Sequence, residues 1–289
     1  MSILQLPHAA PEVILLDWHA TLVDTHDAMY HAVDDVLPRL HELGLDRELV
    51  PPGESKTVED AKLVQYVRDH GQLHPKVIAQ RRISRTDIFQ VLFGDNEDAR
   101  ARAHRAFDAC YRQYVGEVHP LETGIREQLE QLRALEIRLG VLTNRNREFM
   151  NHELQLVEDG GWMDLFDTMA CGDDVERRKP APDLILKALE FLGHRVDEHC
   201  WYVGDSTTDV VAAGEAGVTA IFYNGAHWDQ AWLDRIFPGT ARHPHIPDAV
   251  VNDIPALVRL ARWVQAQDLR TRRETHEPNT GSSRPDSPE

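Results

Sequence analysis

The stretch Val13-Ile14-Leu15-Leu16-Asp17-Trp18-His19-Ala20-Thr21-Leu22-Val23-Asp24 decides the fold. Its first four residues are apolar and β-prone, and the run stops at a carboxylate followed by small and polar residues. In an open α/β sheet, ligands sit outside the carboxyl ends of the strands, so Asp17 is placed to react. Side chains at i and i+2 of an extended segment point the same way, and Asp17 and His19 are expected to face one pocket. Thr21 follows where its hydroxyl can hold the turn. Taken alone, Asp17 could equally cap a turn after a buried strand.

Further strand-like segments lie at 137–142, 200–203 and 218–223, with a weaker one at 168–171. An amphipathic helix beginning near Gly124, with Ile125, Leu129, Leu132 and Leu135 at helical spacing, precedes the first of these. A small-residue helix at 210–216 ends at Gly217, a residue suited to a helix stop. Alternating strands and helices predict a parallel sheet with crossover helices. Residues 25–115 break the alternation. The segments 27–43, 58–70, 74–80, 84–92 and 99–115 are all helical in pattern, with a turn at Val50-Pro51-Pro52-Gly53. This predicts a discontinuous core (1–24 and 116–266) holding a helical insertion (25–115). The segment 267–289 has almost no apolar residues and is expected to be a disordered tail.

The 289 residues carry 48 acidic and 31 basic side chains, a formal net charge of −17, which repels nucleic acid and anionic membranes. Any anionic substrate therefore needs a local cationic site or a metal. The three cysteines, Cys110, Cys171 and Cys200, are scattered and form no metal or disulfide pattern, as expected for thiols in a reducing cytosol. There is no signal-peptide pattern and no apolar run of about 18 residues. A cytoplasmic location follows as the expectation.

Three more segments sit at strand ends or in loops: Leu142-Thr143-Asn144, Lys179-Pro180-Ala181-Pro182-Asp183 and Gly204-Asp205-Ser206-Thr207-Thr208-Asp209. Each alone is common, and Asp209 alone could be a helix cap. With the Asp17 segment, all four in this order resemble the haloacid dehalogenase superfamily, and in particular its phosphoglycolate phosphatase-like members. The resemblance covers residues 12–260 and has one departure. The second aspartate of the family's Asp-x-Asp-x-Thr motif is His19 here.

The resemblance implies an α/β, Rossmann-like parallel-sheet core with an all-helical cap, and magnesium-dependent hydrolysis of a small phosphorylated metabolite through an aspartyl-phosphate. Asp17 would be the nucleophile and His19 the acid/base. Thr143, Asn144 and Lys179 would hold phosphate. Asp17, the backbone carbonyl of His19, Asp205 and Asp209 would hold Mg2+, with Asp209 as a direct or water-mediated ligand. A homodimer is a further expectation.

The physics fits these roles. A carboxylate can attack phosphorus to form an acyl phosphate, a lysine neutralises charge, and Mg2+ prefers oxygen ligands. Imidazole exchanges protons near neutral pH. The His19 departure leaves other readings open. The family's phosphonoacetaldehyde hydrolases also lack the second Asp and use a cap lysine, for which Lys56, Lys62 and Lys76 are candidates. A weakly active or inactive phosphate-binding or interaction module is another reading. In the cap, Arg81, Arg82 and Arg85 either meet a second anionic group on the substrate or form a solvated basic face. His227, His243 and His245 make no convincing metal pattern.

Overall fold

The computed structural model describes residues 6–80, 83–158, 160–240 and 244–276. Strand β1 (Val13–Asp17) starts the core and β2 (Val23–Asp24) leaves it. Helices α1 (His26–Val36), α2 (Val58–His70), α3 (Pro75–Gln80), α4 (Arg85–Phe93) and α5 (Glu97–Tyr111) follow. The chain returns through β3 (His119–Pro120), α6 (Ile125–Arg133), β4 (Arg138–Thr143) and α7 (Arg147–Leu156). Next come β5 (Thr168–Cys171), α8 (Asp183–Leu192), β6 (Cys200–Gly204) and α9 (Thr207–Ala216). The described chain closes with β7 (Thr219–Tyr223), α10 (Gln230–Ile236), β8 (Ala249–Val251) and α11 (Ile254–His276).

Six parallel strands form one sheet in the order β5-β4-β1-β6-β7-β8. This is a Rossmann-like α/β core with an inserted helical cap. The chain order reverses around β1, which lies between β4 and β6, and such a switch point opens a crevice at the carboxyl ends of the strands. Asp17 pairs in register with Leu142, and Leu16 with Val203. Thr143 and Gly204 are the next residues of their strands, so Asp17, Thr143 and Asp205 emerge at one edge.

β1 is buried along its length because helices cover both faces of the sheet. Ile14 and Leu16 pack into one cluster with α6, α7 and α11, while Val13 and Leu15 pack into another with α8 and α9. The period-2 alternation of strand side chains makes that division. A third cluster fills the cap from α1, α2, α4 and α5, and the core residue Phe149 of α7 joins it. The two passages between core and cap run antiparallel as β2 and β3, with Val23 opposite Pro120 and Asp24 opposite His119.

The sequence misplaced some boundaries. The helix expected over 27–43 stops at Val36, where the chain tightens into a 3-10 turn containing Pro38, which has no N–H to continue the ladder. Leu135 lies past the end of α6. Strand β8 and helices α7, α8, α10 and α11 were not expected. The helix α11 also runs through 267–276, residues assigned to a disordered tail. A docked helix extends without a new nucleus, and Gln267, Leu269 and Arg270 are good helix formers. The remainder of that tail, 277–289, lies outside the described residues.

Within the cap, the His104 ring meets Phe89 edge-on at 4.9 Å, and its Nδ1 is buried without a hydrogen-bond partner among the described residues. Burial first, then Arg85, Arg178 and Arg100, push its pKa from 6.5 down to about 3. The folded protein thus keeps His104 neutral where the unfolded chain protonates it. Stability from this site is fully present above pH 6.5 and is lost as pH falls from there toward about 3. The expected slope is about 1 kcal/mol per pH unit just below that point. His104→Phe should flatten this part of the stability profile. Equal pH dependence of urea melts for both proteins would refute the assignment.

Candidate active site

Asp17 ends β1, Lys179 lies in the loop before α8, and Asp209 sits in the first turn of α9. Their side chains meet. Lys179 Nζ donates to Asp17 Oδ1 at 2.7 Å, to Asp209 Oδ1 at 2.7 Å and to the Tyr202 hydroxyl at 2.8 Å. All four side chains are buried. Asp17, Asp205 and Asp209 can each offer an oxygen such that these atoms lie within 4.8 Å of one another. This is the one group of three potential metal-ligating side chains among the described residues.

Charge is out of balance here. Three carboxylates share one ammonium in a desolvated setting. Burial raises Asp17 to about 6, against the pull of Lys179 and with the push of Asp209. Burial followed by the charges of Asp209 and Asp17 raises Asp205 well above the ordinary carboxylate range. Lys179 is itself desolvated, yet Asp17 and Asp209 outweigh that and hold it protonated. The hard oxygen donors and the surplus negative charge fit a divalent cation.

The three carboxylates are not equivalent. Asp209 accepts from Lys179 and Tyr202 at Oδ1, and from the backbone N–H and hydroxyl of Ser206 at Oδ2. Four donors fill the lone-pair sites of a carboxylate. With its acceptor sites taken by protein donors, Asp209 is less available to a cation than Asp17 and Asp205. The capping alternative for Asp209 is also realised, because Ser206 and Asp209 form a reciprocal capping box at the start of α9. Gly204 makes this possible: a Cβ there would lie 2.3 Å from Asp209 Cγ.

Thr143 is buried at the end of β4, and its hydroxyl accepts from the Arg145 backbone N–H at 3.1 Å. Asn144 was expected to hold phosphate. Its side chain clamps the lysine loop, accepting from Lys179 N at 2.9 Å and donating to Lys179 O at 3.1 Å. An amide with one donor and its acceptor engaged this way fixes the lysine backbone.

Thr21 was expected to hold the turn after β1. It is fully buried, but its hydroxyl has no hydrogen-bond partner among the described residues. Backbone groups do the work instead: Leu22 and Val23 donate to Trp18 O, and Ala20 donates to Val23 O. Ala20 adopts φ of 60°, a left-handed conformation costing an L-residue roughly 1 kcal/mol.

Behind Asp17 lies a buried polar cluster. Glu153 of α7 is fully buried and accepts from Trp18 Nε1 at 2.6 Å, the Tyr111 hydroxyl at 2.5 Å and Arg145 Nη1 at 2.7 Å. Arg145 also donates to the Tyr111 hydroxyl, and its Nη2 donates to Thr25 Oγ1 at 2.5 Å. Burial opposes the Arg145 charge, but Glu153 and Tyr111 outweigh it and keep the guanidinium ionised. His19 Nδ1 lies 2.6 Å from Thr25 Oγ1, and its ring lies 4.6 Å from that of His26.

Sequence reasoning missed Tyr202, Ser206, Arg145, Glu153, Tyr111 and Thr25. Glu153 carried a usable signal, since it sits on the apolar face of α7 with Phe149, Met150 and Leu154. Arg145 directly follows Thr143 and Asn144. Tyr202 gave none, because a tyrosine in a buried strand reads as core.

The cap residues resolve differently. Arg85 is not part of a solvated face. It pairs with Asp108 at 2.7 Å and stacks over Phe107 at 4.4 Å, because α4 turns this side of its first turn onto α5. Arg81 and Arg82 lie outside the described residues, as does His243. Lys56, Lys62 and Lys76 are exposed. His245 pairs with Glu215 at 2.8 Å. No helix among the described residues is long and apolar enough to cross a membrane.

A family model described as haloacid dehalogenase-like hydrolase matches residues 14–223. A phosphoglycolate phosphatase of Chromobacterium violaceum is 32% identical over 132 residues, spanning 46% of this chain and 58% of that protein. One from Nitrosococcus oceani is 29% identical over 206 residues, 71% of this chain and 80% of that protein. Pyrophosphatase PpaX of Bacillus mycoides is 29% identical over 157 residues, 52% of this chain and 68% of that protein. The chain thus spans less than two thirds of the Chromobacterium enzyme's length. Among solved structures, a hydrolase from Pseudomonas syringae superposes with a TM-score of 0.54 at 18% identity, covering 86% of this chain and 96% of that one. CbbY from Rhodobacter sphaeroides in complex with phosphate gives 0.51 at 20% identity, covering 84% and 95%. At these identities the structural likeness concerns the fold.

Proposed function

The chain belongs to the haloacid dehalogenase-like hydrolases, and from that premise we propose that it hydrolyses small phosphomonoesters with magnesium, by way of an aspartyl-phosphate at Asp17. The observation that carries this reading is Lys179, whose ammonium joins Asp17 to Asp209 beside Asp205 at the carboxyl edge of the sheet. One cation and three acids leave the room in charge for a divalent ion and a phosphate.

In this reading an Asp17 carboxylate oxygen attacks phosphorus and the ester oxygen departs. Lys179 and the Thr143 hydroxyl stabilise negative charge on the phosphoryl oxygens. A proton passes to the leaving oxygen, with His19 as its donor. Water then attacks the phosphorus of the acyl phosphate, releasing phosphate and restoring the Asp17 carboxylate. Asp17, Asp205 and the His19 carbonyl would hold Mg2+, with Asp209 behind them as the counter-charge that holds Lys179. The bound ion supplies charge neutralisation for the phosphate dianion.

Carbon–phosphorus cleavage through a cap lysine lacks support, since an imine-forming lysine needs a desolvated amine and Lys56, Lys62 and Lys76 are all solvent-exposed. A cytosolic setting and a homodimer remain part of the proposal as expectations from the family.

Purified protein should release phosphate from phosphoglycolate and other small phosphomonoesters only with added magnesium. Magnesium should also raise the melting temperature by a few degrees in the wild type, since a bound ion stabilises the folded state by mass action. In Asp205→Asn this shift should vanish, while the metal-free variant melts at or above the wild type because a desolvated carboxylate is gone. A magnesium shift of equal size in both proteins would remove Asp205 from the metal site. Absence of phosphate release from the whole panel would sink the phosphatase reading.

A further inference from the structure

Glu153 of α7 is a fully buried carboxylate that takes no part in the proposed reaction. Its neighbours on that side of the helix, Phe149, Met150 and Leu154, are apolar. An isolated carboxylate there would be costly, so its partners matter. Their directions are fixed, because indole and guanidinium groups can only donate. Trp18 Nε1 donates to Oε2 at 2.6 Å, and Arg145 Nη1 donates to Oε1 at 2.7 Å. Arg145 also donates to the Tyr111 hydroxyl, whose single proton goes to Glu153 Oε1 at 2.5 Å.

Each partner is one step from a different part of the molecule. Trp18 directly follows Asp17, and its buried ring meets Trp162 edge-on at 5.8 Å. Arg145 follows the Thr143-Asn144 pair, and its backbone N–H donates to the Thr143 hydroxyl at 3.1 Å. Tyr111 is the last residue of α5, which closes the cap, and its ring meets Phe149 of α7 edge-on at 5.1 Å. Beside it, Arg112 pairs with Glu148 of α7 at 2.9 Å, so the foot of α5 is seated on α7. Apolar residues of similar volume often stabilise a core as well as a buried ion pair does. What a fully satisfied polar cluster adds is a single rigid arrangement.

We propose that Glu153 is a positioning residue that sets where Asp17 stands relative to Thr143. It holds the first through Trp18 and the second through Arg145, and it ties both to the foot of the last cap helix through Tyr111. Displacing reacting groups by about 1 Å costs about 100-fold in rate, so a rigid joint between the ends of β1 and β4 has a kinetic consequence. That consequence rests on the phosphatase reading. The coupling of Trp18 to Tyr111 through Glu153 does not.

Glu153→Gln keeps the shape of the side chain and removes the charge. Its amide oxygen can still accept from Arg145 and Tyr111, but its NH2 then faces the Trp18 indole N–H, donor against donor. For a small phosphomonoester, kcat should fall about 10- to 100-fold with KM within about 2-fold. Trp18→Phe removes the opposing donor, so in that background Glu153→Gln should cost at most about 2-fold more. Leu189→Ala, in the buried cluster on the other face of the sheet, should lower the melting temperature and leave kcat within about 2-fold. A wild-type kcat in Glu153→Gln, or losses that multiply in the double variant, would overturn the proposal. If Glu153→Gln does not fold, Tyr111→Phe loses a single hydroxyl and carries the same test, with kcat lowered, KM kept, and an unchanged kcat as the refuting result.

15N–1H spectra of tryptophan-labelled protein provide an arm that needs no turnover, with the Trp18 indole peak assigned by its loss in Trp18→Phe. Tyr111→Phe, made in the cap, should move that peak, and Leu189→Ala should leave it in place. A Trp18 peak indifferent to Tyr111→Phe would overturn the proposal even if the protein turned over no phosphomonoester. That inactivity would count against the functional reading alone.

Discussion

Asp17→Asn is expected to abolish phosphatase turnover, by about 10^4-fold or more, without lowering the melting temperature of the metal-free protein. The two halves of this result come from one cause. In the proposed mechanism Asp17 attacks from a desolvated position, and that same desolvation makes its ionised form unfavourable in the fold. Its pKa is raised from 3.8 to about 6 by burial, with Lys179 pulling it down and Asp209 pushing it up. A carboxylate raised on folding binds protons more readily in the native state, so stability falls as pH rises between those two values. At neutral pH the neutral isostere relieves this penalty, by an amount on the order of 1–2 kcal/mol. Lys179 keeps Asp209 as a partner in the variant. Activity within about 10-fold of wild type would remove Asp17 as the nucleophile. A fall of many degrees in melting temperature would show that the Asp17–Lys179 pair stabilises the fold more than burial costs it.

Lys179→Met should be the most damaging single change to the fold within this site. The substitution keeps length and removes the one ammonium shared by Asp17, Asp209 and Tyr202. Removing one partner of a buried ion pair leaves an uncompensated charge and costs about 3–5 kcal/mol. Here three acids lose their counter-charge together, and their protonation limits the damage. Turnover should fall by roughly 10^3-fold, as for loss of a main stabiliser of transition-state charge. Magnesium should recover part of the lost melting temperature, because it neutralises the same carboxylates. A metal-free melt that matches the wild type would mean that Lys179 is not the electrostatic keystone described here.

The sequence made much of the site legible because its motifs are local. An apolar run ending at Asp17, a hydroxyl at Thr143, Lys179 beside prolines and the Asp205–Asp209 spacing each express a strand end or a loop that can be read within a few residues. The helical block was legible for the same reason, since α2 has the bounds its periodicity predicts. Where a short feature breaks the pattern, the reading slipped. Pro38 ended α1 early, and three-residue β8 was too short to show a period.

Asn144 and Arg85 show the other limit. The family resemblance assigned Asn144 to phosphate, and residue type assigned Arg85 to a solvated face or a substrate anion. The structure turns Asn144 onto the Lys179 backbone and Arg85 onto Asp108. Neither outcome can be read from local sequence, because the partner lies 35 residues away in the first case and 23 in the second.

By itself the sequence determined the α/β core, the helical insertion, the order of the four motifs and the identity of the strand-end carboxylates. It did so because backbone periodicity and strand termination are local properties. Only the tertiary structure decided which groups share a charge. It placed Lys179 between Asp17 and Asp209, filled the lone pairs of Asp209, and drew Trp18, Thr25, Tyr111 and Arg145 around Glu153. Those contacts exist because the β4-β1-β6 strand order brings distant strand ends to one edge, where burial strengthens each ion pair and penalises each unmatched charge.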